Sequence, residues 1–453
     1  MKQRLAFVVA FALIGSLIIG PSFAATKAGT ACKSLGSKRT VSDKKFTCIK
    51  SGKKLIWDKG AIVNKSTPTP ILSFPVSGND VLLPISDCRL ADSSGDNNHL
   101  GFPITPIIKD LSQIRVFAIP FEFSDSDNYR FSKAQNETMF TSVSKYYLQE
   151  SYGKTNLEFT FPPTKSGSAE IQAVTFGVDF KDSQFKDRFR FRDVSISSVL
   201  KDLLSQTKLS WNLGSYDGVV LYSQDSRTFG KFGGIAWRVS ENSRKMQQTL
   251  FDSPSGKIRS LVFANGIPSV LTHELGHSLF GFIDLYDQNS GPSFAQGWGI
   301  MSGPDKGEWN LRGWEKWLTG WISPDEIRCT KTDSTHFLKF VTMQSNSPKL
   351  LIYPLDNQRT VVVEAINRNV FSITDRGFLF SCGKGADCNP SINSGLLAYT
   401  VDVSKMGQEG SIVVPEILKF PNVLLENSEV AVSGVSIKNL GCDKQGCFVS
   451  IRQ

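Results

Sequence analysis

The sequence predicts an α+β fold in three parts: a small N-terminal β module, an α/β domain, and a closing all-β, sandwich-like region. Three observations predict it. A lysine-rich stretch with short strand signals and two cysteines follows residue 24. Strands alternate with helical spacing through the middle of the chain, and β-rich runs broken by Gly, Pro and Asn follow Trp321. At 453 residues the chain is too long for one ordinary domain, and 40% hydrophobic content is ample for packed cores.

Residues 1–24 read as a secretory signal. Lys2 and Arg4 precede an apolar run from Leu5 to Ile19, and small residues at Ser22 and Ala24 set cleavage after Ala24. That run is short for a bilayer span, and no later segment is long and apolar enough for one. The mature chain is therefore expected to be secreted, with no stable membrane span. Export favours pairing of the eight cysteines. Cys382/Cys388 and Cys442/Cys447 look like local staples, Cys32/Cys48 closes a small module, and Cys88 is left for Cys329. A latency thiol at Cys88 is the alternative for that residue.

Residues 25–60 form the first part. "GTACKSLGSKRTVSDKKFTCIKSGKKLIWDKG" reads as two or three strands, and is similar to a small basic module of exported actinobacterial proteins. Of the +9 net charge, +8 falls between Ala25 and Gly60 and +2 on Lys2 and Arg4, which leaves −1 for the rest. A nucleic-acid enzyme would carry its positive charge around its site, so nucleic acid is not expected as a partner. The module suits an anionic cell-envelope polymer, or serves as a solubilising or removable segment. Residues 61–82, rich in Pro, Ser and Thr, read as a linker.

Residues 83–327 form the second part. "IRVFAIPFEF" (Ile114–Phe123) reads as a strand that Pro120 assigns to an edge or a bulge. Helical spacing follows at Phe131–Ser151 and Val194–Gln206, and apolar strands at Tyr216–Gln224 and Arg259–Gly266. In "VLTHELGHSLFGFIDLYD" (Val270–Asp287), Pro268 suits the first turn of a helix. His273 and His277 then share one face, one turn apart, while Leu271, Leu275, Ser278 and Leu279 bury the other. Two of only four histidines are so placed. Neutral imidazoles at this spacing grip Zn²⁺, and Glu274, rotated by roughly 100°, stands beside the ion as a base. Gly276 avoids a side chain that would crowd the ion. Gly281 allows the chain to turn back, which makes Asp284 the first candidate for a third ligand, ahead of Asp287 and Glu308. A structural Ca²⁺ on Asp284 and Asp287 is the competing use of those carboxylates. Trp298 and Met301 form a glycine-flanked turn that sets Met301 as an apolar floor. Residues 328–453 supply the β-rich runs "KLLIYPL", "RTVVVEAI", "SGLLAYTVDV" and "GCFVSIRQ", read as a sandwich.

Taken in order, these motifs resemble the immune inhibitor A-like family of secreted zinc metallopeptidases, whose plan is metzincin-like. The matching residues are His273, Glu274, His277, Gly281, Asp284, Tyr286, Asp287, Trp298, Met301 and Ser302, followed by "WEKWLTGWISP". "SYGK" (Ser151–Lys154) and "SGLLAYTVDV" extend the likeness, which spans Ile114 to Val403. It implies a zinc endopeptidase acting on proteins or peptides. His273, His277 and Asp284 would be ligands and Glu274 the base. Beside these, Tyr286 is read as an oxyanion stabiliser or a structural hydroxyl, and "GGIAWRV" or "RSLVFANG" as an edge strand that aligns substrate by β-pairing. The chain departs from the pattern once: three residues, where the family has two, separate His277 from Gly281. A non-catalytic surface binder on a degenerate peptidase scaffold is the reading from another class.

Overall fold

The computed structural model describes residues 27–41, 44–62, 81–92, 100–103, 108, 110–126, 130–176, 211–224, 234–238, 252–253, 256–257, 259–286, 293–303, 310–367 and 394–453. The chain divides into two units, Met1–Ile71 and Leu72–Gln453. The helix expected at Val194–Gln206, His99, Asp287, Glu308 and the Cys382/Cys388 pair lie outside the described residues.

In the first unit, β1 (Lys38–Val41) and β3 (Lys54–Trp57) pair antiparallel with β2 (Lys44–Ser51), and β4 (Ala61–Ile62) adds to β2 past Gly60. The register sets Cys48 opposite Trp57, so Phe46, Cys48 and Trp57 form a core stapled by the Cys32–Cys48 disulfide. A core this small benefits from a covalent tie.

The second unit opens on a mixed sheet. Its strands are β5 (Gln113–Phe123), β6 (Asn156–Thr160), β7 (Val174–Phe176), β8 (Gly218–Ser223), β9 (Gly234–Arg238) and β12 (Ser260–Asn265), with a minimal hairpin of β10 (Asp252–Ser253) and β11 (Gly256–Lys257) before the last. The order is β6-β5-β8-β12-β9, with β9 alone antiparallel and on the edge. All residues of β8 and β12 are buried, as expected for strands covered on both faces. Pro120 is in β5, an interior strand, which corrects the edge expectation. It faces Tyr222 of β8 on one side, and on the other falls between the end of β6 pairing at Phe117 and the start of β7 pairing at Phe121. Among the described residues no strand pairs with Pro120 on that second side, a gap in the ladder that suits a residue without an N–H.

Helix α1 (Lys133–Glu150) packs on β6 and on α2 (Pro268–Leu275), and α2 lies against β12 and β9. The short α3 (Gly313–Leu318) leads into the sandwich. One sheet of the sandwich contains β13 (Ile327–Cys329), β15 (Leu350–Pro354), β16 (Arg359–Asn367), β17 (Ser394–Asp402) and β18 (Ile412–Val413). The other contains β14 (Ser334–Lys339), β19 (Glu429–Val432), β20 (Val435–Cys442) and β21 (Gly446–Arg452). They meet through β16 and β17 against β20 and β21. Strands β14 and β20 alternate buried and half-buried residues, the pattern of a sheet with one covered face. The architecture is α+β, with several sheets and few helices. Among the described residues no helix is long and apolar enough to cross a membrane.

Cys88–Cys329 and Cys442–Cys447 are disulfides, which rules out a latency thiol at Cys88. Buried ion pairs join α3 to its neighbours: Arg312 Nη1 lies 3.0 Å from Glu364 of β16, and Lys316 Nζ lies 3.1 Å from Glu150 of α1. Apolar side chains of the sandwich and the mixed sheet belong to one buried cluster, and these pairs tie α1 to the sandwich beside it.

Candidate metal centre

Helix α2 starts at Pro268, whose missing N–H has no partner to lose in a first turn. After Leu275 the coil widens into a π-turn over Gly276–Phe280 and closes on Gly281 at φ +76°. Gly281 N–H lies 3.1 Å from His277 O, and Phe282 N–H reaches back 3.1 Å to Gly276 O. A π-turn holds one residue more than an α-turn. Three residues separate His277 from Gly281, the π-turn takes them up, and Asp284 comes back to the histidines.

His273 Nε2 and His277 Nε2 are 3.1 Å apart, and each is 3.1 Å from Asp284 Oδ1. The rings stand perpendicular, with centroids 4.6 Å apart. His273 Nδ1 lies 2.9 Å from the carbonyl of Ile300, and His277 Nδ1 lies 2.6 Å from that of Phe282. A carbonyl only accepts, so both Nδ1 atoms carry the hydrogen and both Nε2 atoms of the neutral rings present lone pairs. Burial alone would raise Asp284. Positive charge opposes this: with the imidazoles protonated, the charge of His277 and N–H bonds from both rings hold it well below the ordinary carboxylate range. Three acceptor atoms therefore converge, and they need a positive charge among them. A tetrahedral Zn²⁺ with bonds of 2.0–2.1 Å requires ligand atoms roughly 3.3 Å apart, close to this spacing. Side-chain exposure is 2% at His273, 21% at His277 and 14% at Asp284, so the cluster opens to solvent on the His277–Asp284 side.

Glu274 is buried beside the cluster, and burial, opposed by His273 and reinforced by Asp284, pushes its carboxyl up to about 8. Strand β9 approaches it at Gly234, where an added Cβ would lie 2.6 Å from Glu274 Cγ and 2.8 Å from its Oε1. "GGIAWRV" thus supplies the sheet edge nearest the site. "RSLVFANG" is β12, paired on both sides, which corrects its assignment as an alternative edge.

Met301 is fully buried beneath α2. A Cβ on Gly276 would meet Met301 Sδ at 3.1 Å, Phe282 at 3.2 Å and the Tyr147 hydroxyl at 3.4 Å. Gly276 therefore makes room for the floor, and the expectation that it spares the ion from crowding is corrected. Tyr147 Oη donates to Thr272 O at 2.5 Å, which ties α1 to α2. Tyr286 is half-buried, its ring 6.1 Å from that of His273. His336 is buried in β14, 2.9 Å from Ser334 Oγ, away from the cluster. With Asp284 turned to the histidines and Asp287 outside the described residues, no calcium cage is assembled from described groups. The carbonyls of Ile300 and Phe282 were not readable in the sequence, because every residue carries one. Gly234 had only its neighbourhood as a signal.

No family model and no curated protein matches the chain. Among solved structures it is similar to catalytically inactive OgpA from Akkermansia muciniphila, described in complex with an O-glycopeptide (glycodrosocin) substrate. Identity is 10% and the TM-score 0.25, over 71% of this chain and 88% of that one. A likeness at that TM-score carries no argument about the site.

Proposed function

We propose that the protein is a secreted zinc endopeptidase of the metzincin-like plan, acting on proteins or peptides. One observation carries this reading: His273 Nε2, His277 Nε2 and Asp284 Oδ1 converge at 3.1 Å, each imidazole pinned by a backbone carbonyl on its far nitrogen. Bound zinc supplies Lewis-acid chemistry, acidifying water toward a pKa of about 7 and polarising a carbonyl. The two histidines and Asp284 would hold it and leave one position open toward solvent. Glu274, buried and close to the cluster, takes the proton from water and returns it to the leaving amine. The raised carboxyl falls as positive charge approaches, which brings it into the range of a base. Among the described residues β9 pairs only with β12, and its outer edge offers backbone groups that would pair with an extended substrate. Tyr286 is a candidate for the oxyanion, with a structural role for its hydroxyl as the alternative.

Secretion belongs to the same reading, supported by the disulfides among the described residues. All ten basic residues between Lys27 and Lys59 are exposed, which supports a cell-envelope polymer as partner for this module. The non-catalytic alternative drew on the extra residue before Gly281, and the π-turn removes that support.

The test is Glu274→Gln in the full chain. Casein hydrolysis is expected to fall by about 10²–10⁴-fold with zinc content unchanged. Activity within a few-fold of the parent would remove Glu274 from the reaction.

A further inference from the structure

We propose that the sandwich segment from Gly407 to Phe420 positions the metal ligands, with Gly407 seating the backbone of Asp284. The inference rests on reading His273, His277 and Asp284 as a zinc site. It makes the C-terminal region part of that site.

Gly407 opens a one-turn helix, Gly407–Glu409, and is buried. A Cβ there would overlap the carbonyl oxygen of Asp284 and lie 3.0 Å from both Cγ1 and Cδ1 of Ile283. Gly407 is not among the glycines of positive φ, so its backbone angles accept any residue. What excludes a side chain is contact with the peptide of the third ligand. On the other side of that peptide, Leu285 N–H donates to Met301 O at 2.8 Å. The Asp284 loop is thus held between the Met301 turn and the sandwich.

The same segment holds the Met301 turn. Val414 N–H donates to Phe294 O at 3.0 Å, and Phe420 N–H donates to Gln296 O at 3.0 Å. Trp298 Nε1 donates to Leu418 O at 2.6 Å. From there the chain passes to Ile300, whose carbonyl orients His273. One sandwich segment therefore reaches Asp284 directly and His273 through one intermediary. Ligand sets work only when held within about 0.5 Å, and groups that orient ligands are worth about 10–100-fold in metal affinity.

The experiment uses the full chain, with zinc affinity measured by chelator competition. The visible spectrum of the Co²⁺-loaded chain reports ligand geometry, and melting of the metal-free chain reports folding. Gly407→Ala is expected to weaken zinc by about 10–100-fold and to alter the Co²⁺ bands. Gly434→Ala is the control, at φ +85° with open space around it. It should lower the melting temperature and leave zinc affinity within about twofold, since backbone strain there touches no ligand. Should Gly407→Ala fail to fold, Trp298→Phe removes the bond to Leu418 and is expected to weaken zinc several-fold. A folded Gly407→Ala chain that binds zinc like the parent overturns the inference, and so does parental affinity in Trp298→Phe. A parent that binds no zinc removes the metal-site reading first.

Discussion

Glu274 and Gly234 touch where the edge strand meets the helix, and the missing side chain on Gly234 is what lets the carboxylate stand there. A Cβ would lie 2.6 Å from Glu274 Cγ, and that group is buried, so the glutamate cannot swing aside cheaply. Gly234→Val is expected to cut peptide hydrolysis by about 10²-fold or more while zinc content stays at the parental value, because the three atoms nearest an added Cβ all belong to the base. Loss of zinc along with activity would show that β9 supports the whole centre. At this scale the sequence exposed what side-chain identity encodes. His273, His277 and Glu274 could be placed from helical spacing, and Asp284 from the glycine bend. Partners that act through backbone atoms, Ile300 and Phe282, left no trace, and Gly407 is more than a hundred residues away from the ligand it touches.

Two elements differ from the regular pieces that the sequence suggests. The helix carrying the histidines changes to a π-turn at Gly276, and periodicity does not reveal such a change because the apolar face stays buried through it. Helix α3, read only as part of a Trp-rich stretch, is the junction of the buried ion pairs. Lys316 Nζ and the N–H of Leu311 both reach Glu150 Oε2, at 3.1 and 2.8 Å. Removing Lys316 leaves a buried carboxylate with the Leu311 N–H but without its opposite charge. Lys316→Met is expected to cost about 3–5 kcal/mol in denaturant unfolding, and Glu150→Gln in the same chain should restore part of it. A single variant within about 1 kcal/mol of the parent would place the pair with exposed bridges in energetic terms.

For the molecule as a whole, two buried acids set a pH dependence. In the metal-free chain burial raises Glu274 to about 8 and Glu315 to about 7, from an ordinary 4.5. The folded state thus binds their protons more tightly than the unfolded state. Their contribution to stability is complete below about pH 4.5 and is lost as pH rises through 7 and 8. Asp284, held low, acts oppositely, and its contribution is lost as pH falls below the ordinary carboxylate range. The urea midpoint of the metal-free chain should therefore fall between pH 5 and 8, more steeply up to about 7 where both acids contribute, and Glu274→Gln should remove the fall above 7 and lessen the rest. A profile that is level in both chains would contradict the burial of these acids. The three-part order of module, mixed sheet and sandwich was legible from composition and strand spacing. The sharing of one core by sheet and sandwich was not, since Arg312, Glu364, Lys316 and Glu150 meet only in the fold.

The central claim is that His273, His277 and Asp284 enclose one divalent ion. The most direct measurement is zinc stoichiometry and affinity for the full chain beside Asp284→Ala and His277→Ala, with melting of each metal-free chain as the folding control. The account predicts about one zinc per parent chain and binding weakened by orders of magnitude in both variants. A folded parent that takes up no zinc at neutral pH, or an Asp284→Ala chain that binds it as tightly as the parent, would contradict it.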